Sequence, residues 1–346
     1  MSSTPSGSPV DPAAAAWPAA AEAARLHFVT GKGGTGKSTV AATLALALAR
    51  GGRKVLLVEV EERQAIAQLF DLPPLPYVET KIAVADGGGT VHALAVDVEA
   101  AFLEYLDMFY NLGFAGKAMR RVGAVEFATT LAPGLRDVLL TGKVKEIATR
   151  TEKVGGADRP VYDAVVVDSP PTGRIGTFLD VTKAMADLAG GGPIRGQAEG
   201  VVELLHSPAT VIHLVTLLEA MPVQETADAI AELRDLDLNV GAVIANRSEP
   251  AHLPTDTVAA AARGDVDAAA LAAELARVGL TLSDAELAGL ITETVEYAGR
   301  AVIQQDSTAE LDGLDAARLV LPRLVDGVDL GGLYALAEHL TEQGVR

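Results

Sequence analysis

Lys37 and Ser38 stand directly behind four glycines, Gly31, Gly33, Gly34 and Gly36, and this grouping of residue types binds phosphate. Gly31 to Ser38 reads G-K-G-G-T-G-K-S, which fits the pattern glycine, four residues, glycine, lysine, then serine or threonine. Glycines adopt positive φ and let the backbone come close to a ligand, so that successive N–H groups converge on phosphate oxygens at a helix N-terminus. Lys37 supplies a point charge to the β- and γ-phosphates, and the Ser38 hydroxyl is placed to ligate Mg2+. The loop residues Gly31, Lys32, Gly33, Gly34, Thr35, Gly36, Lys37, Ser38 and Thr39 together form the candidate cradle.

Four further residues with polar chemistry stand at strand ends. The β-branched run Val165 to Val167 ends in Asp168, and an acid at the end of a buried parallel strand is what a Mg2+ site paired with such a cradle requires. The apolar run Val55 to Val58 ends in Glu59 and Glu61, at the strand end that faces the ligand in an open parallel sheet. A solvated acidic loop is the alternative reading of these two acids. Asn246 closes the strand NVGAVIAN, and its amide carries both a donor and an acceptor.

The stretch KGGTGKST resembles the deviant phosphate loop of the MinD, ParA, nitrogenase-reductase and ArsA groups of ATPases, and DSPPTG from Asp168 closely resembles the ArsA-type nucleotide switch. The resemblance to the ArsA-type ATPases, the arsenite-pump and tail-anchored-protein targeting family, spans most of residues 25 to 346. It implies an ATP-binding, Mg2+-dependent ATPase that works as a dimer opening and closing with nucleotide state. Lys32 would reach across the dimer to the partner's nucleotide; its alternative is a solvated loop charge. Ser38 and Asp168 would hold the metal, Glu61 would orient the attacking water, and Asn246 and Pro322 would flank the adenine. The family usually has Asp-Pro where this chain has Glu61-Glu62, so hydrolysis is expected to be slow or to depend on a partner.

The elements that position these residues follow from periodicity and punctuation. Residues 1–24 are rich in Ser, Pro and Ala and read as a disordered tail. Recurring strands and helices from residue 25 onward predict a doubly wound α/β domain with a mostly parallel sheet, a P-loop NTPase with helical insertions. KIAVAD and VHALAVD read as two strands joined by Gly87-Gly88-Gly89. A helical segment is expected over 98–150. Its aromatic stripe, Phe102, Tyr105, Phe109, Tyr110 and Phe114 with Met108 and Met119, is either core or a groove for a client helix. Lys117, Arg120 and Arg121 read as a solvated face, and Gly190 to Gly200 as a mobile segment. His206 and His213 read as structural histidines, and residues 251–312 as a helical insertion capping a dimer or meeting a partner.

Composition excludes several alternatives. The 346 residues carry a net charge of -18, which argues against non-specific attraction to nucleic acid or anionic membranes. Cysteine is absent, so disulfides and thiolate metal sites are excluded. Arsenite pumping and zinc-pinned dimerisation, which the family performs through cysteines, are therefore unavailable, and a protein or hydrophobic client is the expectation. No apolar run is long enough to span a bilayer, and a cytoplasmic protein is the default expectation. The partner is expected to be a second copy or a related ATPase chain. In the latter case this chain could be an ATP-binding regulatory subunit with little hydrolysis; a MinD- or ParA-like positioning role is the third reading.

Overall fold

The computed structural model describes residues 17–61, 63–110, 135–176, 178–179 and 193–346. Ten strands are present among them: β1 (Leu26–Gly31), β2 (Lys54–Glu59), β3 (Thr80–Val84), β4 (Thr90–Ala95), β5 (Thr151–Val154), β6 (Ala157–Pro160), β7 (Ala164–Asp168), β8 (Thr210–Leu217), β9 (Val240–Ser248) and β10 (Ala317–Pro322). Eight of them form one sheet in the order β10-β9-β8-β1-β7-β2-β4-β3. Every pairing in it is parallel except β3 with β4. The doubly wound, mostly parallel α/β fold is thus the one the strand-helix alternation implies.

Burial explains the strand sequences. Leu26 to Gly31 and Ala164 to Asp168 are buried at every position, because helices cover both faces of the sheet and water meets neither. One core packs Val29, Val55, Leu57, Val166 and Ile244 against helices Lys37–Leu48 and Leu330–Glu342. The other packs Phe28, Leu56, Val58, Val165 and Val167 against helices Leu135–Thr149, Pro193–Leu205 and Ala220–Asp235. Helix Lys37–Leu48 lies between the sheet and helix Leu330–Glu342, which is why its sequence is apolar on all sides. Leu44 is fully buried there, and Leu44→Ala is expected to cost about 2–5 kcal/mol in chemical denaturation. A loss below about 1 kcal/mol would show that the helix is not packed this way.

Chain order decides where a ligand can sit. From β1 the chain crosses to β2, β3 and β4, returns to place β7 beside β1, and then builds β8, β9 and β10 on the opposite side. The strand ends around β1 therefore diverge and leave a crevice at their carboxyl edge. The cradle, Glu59, Asp168 and Asn246 all lie on that edge.

Several expectations need correction. The tail expected over 1–24 does not extend to 24: residues 19–23 form a short helix, and Trp17 is buried. Trp17 stacks on His213 with ring centroids 5.0 Å apart, and His213 in turn stacks on His27 at 5.5 Å. A Ser/Pro/Ala-rich segment offered no periodic apolar face because one aromatic ring and two alanines do the packing. Gly190 to Gly200 was expected to be mobile, yet from Pro193 the chain is a helix to Leu205; residues 190–192 lie outside the described residues. Gly196 and Gly200 are carried in that helix, whose Ala198, Val201 and Leu205 are buried. The antiparallel β5–β6 hairpin had no alternating apolar signal, since all eight residues are exposed, and only its Gly155-Gly156 turn marked it. Of the aromatic stripe, Phe102 packs against the core. The side chains of Tyr105, Met108, Phe109 and Tyr110 lie outside the described set, as do Phe114, Met119 and the basic cluster Lys117, Arg120 and Arg121.

The buried histidines set a pH limit. His27 Nδ1 and His213 Nε2 are 3.2 Å apart, and His213 Nδ1 accepts from the Ala242 N–H at 3.0 Å. Burial pushes His27 down to about 4 and His213 well below its ordinary value, so both are neutral in the fold. Unfolding lets them take up protons at the ordinary value near 6.5. Their contribution is therefore full above pH 6.5 and is lost as pH falls toward 4, by on the order of 3 kcal/mol for His27. A melting temperature that falls between pH 6.5 and 4.5, less steeply in His27→Gln, is the expected result.

Candidate active site at the carboxyl edge of the sheet

The cradle is formed by the turn between β1 and helix Lys37–Leu48. Gly34 and Gly36 have φ of 88° and 89°, a region closed to most side chains. Space is equally restrictive. A Cβ on Gly31 would lie 2.3 Å from the Val215 carbonyl oxygen, and one on Gly36 would lie 2.4 Å from Asn246 Nδ2. Gly36→Ala is accordingly expected to lose nucleotide binding by at least about tenfold, because it meets both positive φ and that amide. Calorimetric affinity equal to that of the unsubstituted chain would contradict this geometry.

The residues around the loop are tied to it. Ser38 Oγ donates to Asp168 Oδ2 at 2.6 Å, joining the helix start to the end of β7. Lys37 Nζ donates to the Lys32 carbonyl at 3.3 Å and is largely buried; desolvation lowers its pKa, while Asp168 and Glu61 raise it. Asp168 is 7% exposed, and burial pushes its carboxyl up to about 6, with Glu59 and Glu61 adding to the rise and Ser38 and Lys37 opposing it. A carboxylate so placed gains from a bound cation. Among the described residues no group of three His, Cys, Asp or Glu side chains could hold a metal. A Mg2+ at Ser38 and Asp168 would complete its shell with phosphate oxygens and water, the set that ion prefers. The donor types and the glycine-limited space fit Mg2+ with a triphosphate.

The two glutamates at the end of β2 have different surroundings. Glu59 is buried, and its oxygens accept from the Ala65 and Ile66 N–H groups at 3.1 and 3.2 Å, capping helix Ala65–Leu69. Its carboxylate is committed to backbone. Glu61, its side chain 17% exposed, pairs with Arg63 at 3.5 Å and lies within the electrostatic reach of Lys37 and Asp168.

The segment after Asp168 is held from β1: Thr30 Oγ1 donates to the Pro170 carbonyl at 2.7 Å and the Ser169 N–H to the Val29 carbonyl at 3.0 Å. Asn246 is placed against the loop instead of standing open at the strand end. Its Nδ2 donates to the Thr35 carbonyl at 2.8 Å, and its Oδ1 accepts from the Arg247 N–H at 3.0 Å, with only 4% of the residue exposed. Thr39, Asn246 and Pro322 line a cleft of about 690 Å3 running away from the cradle. A cleft of that size suits a mononucleotide.

Sequence reasoning missed two partners. Lys32 Nζ donates to Glu225 Oε1 at 2.5 Å, across 193 residues, so it is neither a free loop charge nor, in the isolated chain, a group pointing elsewhere. No spacing rule could name Glu225 as its partner, since the two lie 193 residues apart. Gln64, in the left-handed region at φ 56°, clamps the backbone of Leu75 through both ends of its amide, fixing the DLPPLP loop beside Glu61.

Comparison with known proteins places the sequence among ATPases. The sequence model of the anion-transporting ATPase (ArsA) family matches residues 24–190. The ATPase BagA of Mycobacterium tuberculosis is 64% identical over 330 residues, covering 95% of this chain and 96% of that one. The ATPase GET3 of Kluyveromyces lactis is 24% identical over 257 residues, covering 64% of this chain and 72% of its own. An arsenical pump-driving ATPase of Acidiphilium multivorum is 27% identical, covering 68% and 41%.

Proposed function

The chain belongs to the anion-transporting (ArsA) ATPase family, and from that premise we propose that it is a Mg2+-dependent ATP-hydrolysing dimeric switch that handles a protein or hydrophobic client. The observation that carries the reading is the joint placement of Ser38 and Asp168, 2.6 Å apart, at the mouth of a glycine-limited cradle. The roles then follow from the chemistry of each group. Backbone N–H groups of Gly31 to Thr39 and the Lys37 ammonium meet the phosphate oxygens, and their fixed dipoles cost no reorganisation as charge develops. Ser38 and Asp168 hold the metal, which when bound neutralises charge on the transferred phosphoryl group. Glu61 orients the attacking water. Lys32 leaves Glu225 to reach the partner subunit's nucleotide.

The Lys32–Glu225 pair is suited to release. Both side chains are more than a third exposed, so it contributes at most about 1 kcal/mol. Glu225→Gln is expected to favour ATP-dependent dimerisation by up to about fivefold in sedimentation equilibrium. An unchanged or weaker dimer would show that the pair does not compete with assembly.

The client part of the reading rests on the absence of cysteine, which removes thiolate-bound metalloid from consideration. Among the described residues no helix is long and apolar enough to cross a membrane. A second reading, an ATP-binding regulatory subunit paired with a related chain, is favoured by one contact: Arg63 holds Glu61 in an ion pair. Turnover by the purified chain, with its mass determined in ATP, ADP and no nucleotide, tests both. Turnover with ATP-dependent dimers supports the switch; ATP binding without turnover supports the regulatory subunit.

A further inference from the structure

We propose that the helix Asp284–Asp312 closes the base-binding end of the nucleotide cleft, with Ile303 and Arg300 set against the purine. The inference rests on the nucleotide reading above and adds the residues that complete its far wall. Asn246 alone cannot cover a base. It is 4% exposed, with one amide hydrogen given to Thr35 and its oxygen engaged by Arg247, so it can at most touch the edge of a ring.

The open wall of the cleft is supplied from this helix. Ile303 lines it and is 52% exposed, an apolar side chain that solvates poorly and gains from a flat apolar cover. Arg300, three residues earlier, lies on the same helical face and lines the same cleft. Among the described residues its guanidinium is in no ion pair, whereas Arg323 nearby is paired with Glu249 at 2.5 Å. A planar guanidinium stacks on aromatic rings, and a purine presents that surface. The wall is held in place by Gln304, whose amide bonds the Glu249 N–H at 2.9 Å and the Glu249 carbonyl at 3.1 Å, just beyond β9. A base at this point would lie between β9, β10 and the helix, with its phosphates toward Thr39 and the cradle.

The test compares ATP with inorganic tripolyphosphate, which has the phosphates and no base. Calorimetry with Mg2+ on the full chain would use the unsubstituted protein, Ile303→Asp, Ile303→Val, Arg300→Ala and, as the cradle control, Lys37→Ala. Expected are a loss in ATP affinity of at least about tenfold in Ile303→Asp and about threefold in Arg300→Ala, with Ile303→Val near the unsubstituted value. Tripolyphosphate affinity should stay unchanged in all three. ATP affinity within about twofold of the original in both Ile303→Asp and Arg300→Ala overturns the proposal, as does an equal weakening for ATP and tripolyphosphate. If these variants bind as the original does while Lys37→Ala still fails, only the base wall is wrong. If the unsubstituted chain does not bind ATP, the nucleotide reading falls and this one with it.

Discussion

Lys37→Ala is expected to reduce ATP turnover by on the order of 1,000-fold or more, the largest single loss of any substitution in the chain. The ammonium sits in a desolvated position, pointing at the carbonyl of Lys32 in its own loop, with Asp168 and Glu61 holding its charge against burial. A cation there is costly to keep and serves no core contact that alanine could not replace. Its return comes when phosphate oxygens arrive, since the interaction is strengthened where water is excluded. The substitution should leave the melting temperature nearly unchanged, because the side chain contributes charge to the site and little apolar packing. Single-turnover measurements with saturating ATP separate lost chemistry from lost binding. Turnover within tenfold of the unsubstituted chain, with the fold intact, would sink the assignment of Lys37.

Asp168→Asn ranks second and has a signature of its own. The carboxyl is pushed up to about 6 by burial and by two neighbouring glutamates, so at pH 7 it is ionised at a cost to the metal-free fold. For an acid raised in this way, stability is highest below the unfolded value and is lost as pH rises through about 6. Replacing it with a neutral amide should therefore hold or raise the melting temperature of the metal-free protein at pH 7. Mg2+-dependent turnover should fall at least about 100-fold, since the substitution removes the charge that holds the ion. A variant that is less stable and fully active would mean that Asp168 serves the fold through Ser38 and not the metal.

Legibility from sequence varied with how local the determinant is. The cradle was readable because its glycines, lysine and serine are contiguous, and the loop's φ angles and the helix start depend on nearest neighbours. Asp168 was readable because a buried β-branched run announces a central strand and its last residue must face the crevice. Glu59 and Glu61 could not be told apart, as both stand at the end of the same strand; the difference is that helix Ala65–Leu69 turns its N–H groups onto one of them. The folded segment behind Trp17 was missed for a related reason. Of its partners, His213 is far off in the chain, and it lies beside His27 only because β1 and β8 pair.

The sequence by itself determined the glycine-rich loop and its lysine, the doubly wound sheet, the absence of any thiol site, and the family, because each is written in contiguous residues, in periodicity, or in composition. Tertiary structure alone decided which distant groups meet. It brought Ser38 to Asp168 across 130 residues, Lys32 to Glu225 across 193, and Asn246 to Thr35 across 211. It also set Ile303 and Pro322 around one cleft. These contacts depend on strand order, and strand order is a global minimum over all pairings that no local window of residues contains.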